Sequence, residues 1–177
     1  MSSGLNPDEV KDTINEYLSA MIGVIDQYEG TVDKIIGDEV MGLFGAPVAY
    51  DDHPYRSIRV GIEMQKAHQK LLDKWRSEKR PTPPVGIGIN TGDVVIGNIG
   101  CNTRTNYTAL GHHVNLASRL CGAAAGGEIL MSMNTVEALA KFAASSPDAM
   151  KEKINFQKAG TITAKGIKEP VPIAKVL

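Results

Sequence analysis

The sequence lacks the long apolar run that a membrane-spanning helix requires, and no secretory signal is visible in it. It contains only two cysteines, Cys101 and Cys121, which are too few for a disulfide framework. No cysteine and histidine spacing typical of a zinc site occurs. The formal net charge of -1 provides no strong field that would attract nucleic acid or lipid. These absences lead us to expect a cytoplasmic protein whose domain contacts neither membranes nor nucleic acids.

Several catalytic signatures are also missing. The sequence has no Walker-type phosphate loop and no G-x-G-x-x-G fingerprint, and no Ser-His-Asp or Cys-His arrangement stands out. His112 and His113 are adjacent, so their side chains would point in different directions in a regular element. We therefore expect a cap or surface role for this pair and not joint metal binding.

The length and composition of the sequence are those of one globular domain. Of the 177 residues, 42% are hydrophobic and 22% are charged, and no repeat or linker divides them, so we predict a single domain over 1–177. Helical periodicity predicts one helix that begins at Pro7 after an Asn6 cap, and another from about Pro54 to Arg76. Helices alternate with hairpins along the chain, which is typical of an α+β fold and not of a parallel dinucleotide-binding fold.

The most informative stretch is the apolar run that stops at Gly37-Asp38 and then resumes. Glycine followed by a polar residue between two strand-like runs predicts a two-residue hairpin turn. Such a turn would hold the Asp38 carboxylate at a rigid tip suited to a metal ligand, with Lys34 as a cationic donor on the preceding strand. Nucleotide chemistry with Mg²⁺ needs both groups. Gly-Asp turns are also common in hairpins without function, so the residues alone leave both interpretations open.

A second, glycine-rich hairpin is predicted further along the chain. Its strands would be 85–89 and 94–99, joined by a turn at 90–93, and its glycines indicate close packing or close approach by a ligand. A polar loop from Cys101 to Asn106 would follow it.

Two polar residues share one face of the next predicted helix, which runs from about His113 to Ala123. Asn115 and Arg119 are four residues apart, and an arginine fork suits phosphate oxygens while an asparagine can hold a ribose. A solvated helix face would show the same pattern, but the position of the Asn115 and Arg119 pair just after the glycine-rich segment favours a functional role. Lys165 and Arg104, the latter predicted in a loop, are further candidates for phosphate contacts, although exposed lysines are common.

Taken together, these segments resemble the catalytic domain of class III adenylyl and guanylyl cyclases, and are most like the bacterial adenylyl cyclases. The segments that carry the resemblance are Gly30–Asp38, Gly88–Gly92, Gly97–Gly100, Tyr107–Thr108 and Val114–Leu120. The resemblance implies a ferredoxin-like core of βαββαβ type, with a central, mostly antiparallel sheet flanked by helices. It also implies a head-to-tail homodimer whose active sites form at the interface from both protomers, and a role in signal transduction through cyclic nucleotides.

The resemblance also implies roles for three residues in binding metal and base. Asp38 corresponds to one of the family's two metal-binding aspartates, which hold two Mg²⁺ or Mn²⁺ ions in each site. Lys34 and Thr108 correspond to the pair that recognises adenine. A lysine donor suits the adenine N1 acceptor, whereas guanine presents a donor there and would call for a carboxylate. We therefore expect ATP rather than GTP as the substrate.

Four further residues correspond to groups that contact the ribose or the phosphates. Asn115 corresponds to the residue that orients the ribose, and Arg119 to the ligand of the transition-state phosphate. Lys165 corresponds to a second phosphate contact, and Arg104 falls near another. The implied reaction is in-line attack of the ribose 3′-hydroxyl on the α-phosphorus, which releases pyrophosphate and forms 3′,5′-cyclic AMP.

Two departures from the family are visible. The family begins with a central strand that carries the first metal aspartate, and Met1–Leu5 resembles the segment just downstream of that strand. We therefore expect a truncated domain that lacks its first strand and has little or no cyclase activity as it stands. The His112-His113 pair also stands where the family more often has Asp or Asn after the glycine.

Two alternatives to an enzyme that cyclises ATP follow. One is a non-catalytic, cyclase-like module that binds nucleotide, dimerises and regulates a partner. The intact Lys34, Asp38, Asn115 and Arg119 argue against long-standing degeneracy, while the absent first aspartate argues for it. The other is a dinucleotide cyclase, which is disfavoured because no Gly-Gly-Asp/Glu-Glu-Phe run occurs.

Overall fold

The computed structural model describes residues 7–163 and 170–177. In these residues the chain forms four α-helices and eight strands, joined by short loops and one 3-10 turn at Pro147–Ala149. The helices are α1 (Pro7–Gln27), α2 (His53–Ser77), α3 (His112–Ala123) and α4 (Met133–Ser145). The strands are β1 (Thr31–Ile36), β2 (Glu39–Leu43), β3 (Ile87–Ile89), β4 (Val95–Cys101), β5 (Arg104–Leu110), β6 (Ile129–Ser132), β7 (Phe156–Ile162) and β8 (Val171–Val176).

The strands form three sheets in the described part of the chain. The hairpins β1–β2 and β4–β5 are antiparallel pairs, and a four-stranded sheet has the order β3-β6-β8-β7. In that sheet β3 and β6 run parallel, whereas β8 runs antiparallel to both β6 and β7. The predicted α+β class, with mostly antiparallel strands flanked by helices, is confirmed. In the described residues the strands are divided among three sheets and do not make one continuous sheet.

The first predicted hairpin is confirmed in its position and its turn. Ile36 pairs with Glu39, which leaves Gly37 and Asp38 as the two-residue turn. Gly37 has a φ of +64°, a value that glycine adopts without the strain that a side chain would cause. The register shifts after Val32, so Asp33 is an extra residue that forms a β-bulge in β1.

The second predicted hairpin is wrong in its pairing. β3 pairs with β6, while β4 pairs with β5 across a turn that lies between Cys101 and Arg104. The segment predicted as a polar loop is therefore the tip of the β4–β5 hairpin. The alternating pattern located the strands correctly, but it carries no information about which strands are partners.

Two buried clusters position these elements. One contains Met21, Ile25 and Trp75, and it packs α1 against α2 and the β1–β2 hairpin. The other contains Ile58 and Met131, and it packs α2 and α4 against the four-stranded sheet. Since α2 contributes to both clusters, it fixes the hairpin relative to the sheet. Among the helices described, none combines the length and apolar character that crossing a membrane requires.

Candidate functional site

The β-bulge in β1 places two neighbouring charged side chains together. In a regular strand Asp33 and Lys34 would point to opposite faces, but a bulge changes the direction of a side chain. Lys34 Nζ lies 3.1 Å from Asp33 Oδ2. The Asp33 side chain is 1% exposed, whereas the Lys34 side chain is 31% exposed, so the lysine reaches from a buried carboxylate toward solvent.

Thr108, on β5, joins the same carboxylate. Its hydroxyl donates to Asp33 Oδ2 at 2.8 Å, and the backbone amide of Ala109 donates to Asp33 Oδ1 at 2.9 Å. Asp33 therefore connects β1 to β5 and brings Lys34 and Thr108 to one place. We call Asp33, Lys34 and Thr108 the β1–β5 cluster.

Asp33 is the residue that sequence reasoning missed. The signal that could have revealed it is an aspartate inside a predicted strand, where this residue type is depleted. A buried carboxylate must find donors, so its presence there indicates partners on a neighbouring element. The sequence pattern alone does not identify those partners.

Asp38 lies exposed at the tip of the β1–β2 hairpin, as predicted. A carboxylate there is a hard oxygen ligand open to solvent, which suits Mg²⁺ or Mn²⁺. No group of three or more histidine, cysteine or acidic side chains close enough to hold a metal occurs within 7–163 and 170–177. Mg²⁺ is commonly bound by one or two carboxylates together with substrate phosphates and water, and Asp38 fits that mode as one ligand.

Asn115 and Arg119 line an open cleft of about 790 Å³ between α3 and the end of β7, which we call the α3 cleft. Both side chains are exposed, while Leu116 and Leu120 of the same helix are buried. Within the described residues no hydrogen bond or ion pair occupies the Asn115 amide or the Arg119 guanidinium. The amide and the guanidinium are therefore available to a ligand.

The N-terminus of α3 is held by Asn90, the residue that follows β3. Its side-chain nitrogen donates to the His113 carbonyl oxygen at 2.9 Å, and its oxygen accepts a hydrogen bond from the Ser132 hydroxyl at 2.6 Å. The His113 ring packs beside His112, with ring centroids 3.9 Å apart. Burial, and then the neighbouring His112, lower the pKa of His113. His112 is exposed and lines the α3 cleft, which agrees with a surface role.

Of the two further phosphate candidates, the structure describes only Arg104. The prediction that Arg104 lies in a loop is wrong, because it is the first residue of β5 and pairs with Cys101 at the tip of its hairpin. Four residues separate it from Thr108, or about 13 Å along the strand. Arg104 is not among the residues that line the α3 cleft. Lys165 lies outside the described residues, as does the predicted cap Asn6, although Thr163 just before Lys165 lines the cleft.

The described lining of the α3 cleft comes from α3 and from the end of β7. Among the described residues that line the α3 cleft, none belongs to the β1–β5 cluster, and Asp38 is also absent from it. Both hairpins beside the cluster expose large apolar side chains. These are Ile35, Ile36, Val95, Ile99, Tyr107 and Leu110. Exposed apolar groups gathered on neighbouring elements are typical of a protein interface.

Comparison with known proteins gives one consistent result. The family described as the adenylate and guanylate cyclase catalytic domain matches residues 1–173. Adenylate cyclase 1 of Rhizobium meliloti is 30% identical over 178 residues, which cover 100% of this chain and 25% of the relative. The chain thus spans about a quarter of the length of that curated relative.

Solved structures show the same fold. The crystal structure of the adenylyl cyclase CyaB from P. aeruginosa is similar with a TM-score of 0.87 and 35% identity, covering 98% of this chain and 85% of the other. The crystal structure of the guanylyl cyclase Cya2 is similar with a TM-score of 0.83 and 36% identity, covering 98% of this chain and 82% of the other. Because one neighbour is named for adenylyl and the other for guanylyl chemistry, overall similarity does not decide the nucleotide.

Proposed function

Because the chain belongs to the adenylate and guanylate cyclase catalytic domain family, we propose that it is an adenylyl cyclase domain that converts ATP to 3′,5′-cyclic AMP and pyrophosphate. Family membership supports cyclisation of a purine nucleoside triphosphate without specifying the base. The observation that carries the choice of ATP is the β1–β5 cluster, where the Lys34 ammonium and the Thr108 hydroxyl meet at one carboxylate.

Lys34 favours adenine because of the hydrogen bonds that each base can make. A lysine ammonium only donates, and adenine N1 accepts. Guanine carries a proton on N1, so it would place a donor against a donor. A mismatch of this kind leaves buried polar groups unpaired, which discriminates strongly between substrates.

The α3 cleft supplies groups for the triphosphate end of the substrate. Asn115 holds the ribose so that its 3′-oxygen lies in line with the α-phosphorus. A bond forms between these two atoms, the bond from the α-phosphorus to the bridging oxygen of pyrophosphate breaks, and the 3′-hydroxyl proton leaves to water. Arg119 stabilises the negative charge that the phosphoryl oxygens gain in the transition state, and its planar fork suits that geometry.

Asp38 is the residue that would hold the divalent cations of the site, with phosphate oxygens and water as the other ligands. When bound, Mg²⁺ or Mn²⁺, two ions in each site of the intact family, supplies Lewis acidity to the 3′-hydroxyl and neutralises phosphate charge. In our proposal Lys165 and Arg104 contribute further positive charge toward the phosphates.

A homodimer would complete the site. In our proposal the α3 cleft of one copy, with Asn115 and Arg119, faces the Asp38 tip of the β1–β2 hairpin of the other. A two-fold axis would then build two equivalent sites. The exposed apolar side chains on the two hairpins support this arrangement, because burying them against a second copy removes them from water.

Base preference tests the proposal directly. We expect the protein with Mg²⁺ to bind ATP more tightly than GTP by calorimetry, and any turnover to yield cyclic AMP rather than cyclic GMP. Lys34→Glu should shift the preference toward GTP, since a carboxylate accepts from guanine N1. Lys70→Glu makes the same charge change on the exposed face of α2 and should leave the preference unchanged.

The other possible outcomes test separate parts of the proposal. Unchanged preference in Lys34→Glu would contradict base recognition by Lys34. Formation of cyclic AMP would exclude the non-catalytic nucleotide-binding module. Failure to bind either nucleotide would contradict the proposal as a whole.

A further inference from the structure

We propose that Asp33 is a specificity-determining positioning residue, which fixes the Thr108 hydroxyl as a hydrogen-bond acceptor toward the base. This inference rests on the proposed function, because it concerns how the same site would recognise adenine. It assigns the 6-amino group of adenine to Thr108, and it makes the polarity of that contact depend on a residue that does not touch the nucleotide.

The contacts of Asp33 all come from donors. Thr108 and Lys34 both approach Oδ2, at 2.8 Å and 3.1 Å, and the Ala109 amide approaches Oδ1 at 2.9 Å. No acceptor among the described residues is paired with this carboxylate. A side chain that is 1% exposed and surrounded by donors is satisfied as an anion that only accepts.

The consequence for Thr108 follows from the chemistry of a hydroxyl, which has one proton and two lone pairs. Its proton is directed at Asp33, so the oxygen offers only lone pairs in other directions. The Ala109 amide holds the other carboxylate oxygen and thereby fixes the orientation of the Asp33 side chain. The hydroxyl therefore cannot reverse its polarity without losing a hydrogen bond to a buried charge, which is costly.

The consequence for Lys34 is complementary. An ammonium has three protons, and the contact with Asp33 uses one of them, so donors remain for a ligand. The cluster thus offers one donor and one acceptor from neighbouring side chains. Adenine presents the matching order, with N1 as acceptor and the 6-amino group as donor. Guanine presents the reverse order, a donor at N1 and an acceptor at O6.

A threonine without this constraint would discriminate poorly. A freely rotating hydroxyl can accept from a 6-amino group or donate to O6. Lys34 would then be the sole source of preference. The structure assigns the second part of the preference to Asp33, because the hydrogen bond to Asp33 prevents the Thr108 hydroxyl from donating to the base.

The test replaces Asp33 by its isostere. In Asp33→Asn the side-chain amide can donate to the Thr108 oxygen, which frees the hydroxyl proton for the ligand. Affinities for ATP, GTP and purine riboside triphosphate, which lacks the 6-amino group, are measured by calorimetry with Mg²⁺. We expect the ratio of ATP affinity to GTP affinity to fall by about tenfold. The ratio of ATP affinity to purine riboside triphosphate affinity should also decrease. Asp26→Asn, at an exposed site on α1, serves as the matched control and should retain both ratios.

A double-mutant cycle with Thr108→Val separates positioning from general support of the fold. If Asp33 acts through the hydroxyl, Asp33→Asn should change the nucleotide ratios in the parent protein and leave them unchanged in the Thr108→Val background. A purely structural role would instead lower affinity for all three nucleotides by the same factor in both backgrounds. Thermal unfolding of each variant reports how much of any loss comes from stability.

The outcomes separate this inference from the proposed function. If the parent protein prefers ATP and Asp33→Asn keeps the full preference and the full effect of the 6-amino group, the inference is wrong while the proposed function stands. If the parent protein prefers GTP or binds neither nucleotide, the proposed function fails and the inference fails with it.

Discussion

Gly88, in β3, lies directly against the backbone of α3 at Cys121. A Cβ atom built on Gly88 would stand 2.1 Å from the Cys121 amide nitrogen and 2.5 Å from the Ala117 carbonyl oxygen. Both neighbours are backbone atoms, so no side-chain rotation can relieve the contact. Since α3 carries Asn115 and Arg119, the absence of a side chain at Gly88 sets how closely the α3 cleft approaches the sheet.

Gly88→Ala should therefore displace α3 and destabilise the protein. We expect a loss of about 1–3 kcal/mol in the free energy of unfolding, the usual cost of overpacking, and weaker nucleotide binding because Asn115 and Arg119 move with the helix. Chemical denaturation and calorimetry measure the two effects. Gly23→Ala, in α1 with nothing within 4 Å of its added Cβ, is the matched control and should be neutral or stabilising. Equal behaviour of the two variants would contradict the proposed packing role.

Local signals predicted the fold where the structure depends on local chemistry. The turn at Gly37-Asp38 was predictable because a two-residue turn needs positive φ and glycine supplies it. The long helices followed from apolar periodicity. The partner of β3 was not predictable, because β3 pairs in parallel with the distant β6. The turn that joins β4 to β5, at Asn102-Thr103, has no glycine or proline to mark it.

The site was predicted in part for a similar reason. The residues resembling a cyclase motif, such as Lys34 and Thr108, were identified from their segments, and the structure places them at one carboxylate. The role of the Asp33 carboxylate was not predictable, because Thr108 on β5 lies 75 residues further along the chain. In our proposal a second copy completes the site, and no pattern within one sequence specifies how two copies meet.

Glu16 should make the protein sensitive to acid. Its carboxylate pairs with Lys74 and accepts hydrogen bonds from Trp75 Nε1 at 2.7 Å and Arg80 at 3.0 Å, and these contacts lower its pKa from 4.5 to about 2. The lowered folded-state pKa means that this stabilisation is present above pH 4.5 and is lost as pH falls toward 2. Because the side chain is 29% exposed, we expect Glu16→Gln to cost only about 1–2 kcal/mol at pH 7.

The check is the free energy of unfolding measured as a function of pH. The difference between the parent protein and Glu16→Gln should narrow below pH 4.5, because protonation removes the same interactions that the substitution removes. Glu137→Gln, on the exposed face of α4, is the control and should follow the parent curve. A constant difference across this range would show that Glu16 contributes through packing and not through its charge.

His68 should cause a second loss of stability at milder acidity. Its ring is 2% exposed between Tyr17 and Trp75, and Nε2 has no partner within the described part of the chain. Burial lowers the pKa of His68 below the ordinary 6.5. As the pH falls below 6.5, the imidazole is therefore protonated in the unfolded chain before it is protonated in the folded protein. Stability attributable to His68 is therefore present above pH 6.5 and declines as pH falls below it. His68→Phe keeps an aromatic ring in place and should unfold with a flatter pH dependence between about pH 7 and 5. Identical slopes for the two proteins would contradict this assignment.

Mixing two defective variants should restore ATP binding if each site is built from two copies. Asp38→Ala removes the proposed metal ligand and Arg119→Ala damages the α3 cleft, so with Mg²⁺ each protein alone should bind ATP weakly. In a mixed dimer one site receives both defects and the other receives neither. Random mixing in equal amounts should therefore recover tight ATP sites at about a quarter of the parent number, which calorimetric stoichiometry measures. Mixing Asp38→Ala with Asp38→Ala,Arg119→Ala is the control, because every site then carries the Asp38 substitution. Absence of recovery, when fluorescence transfer between labelled chains confirms that they have exchanged, would contradict a site shared between protomers.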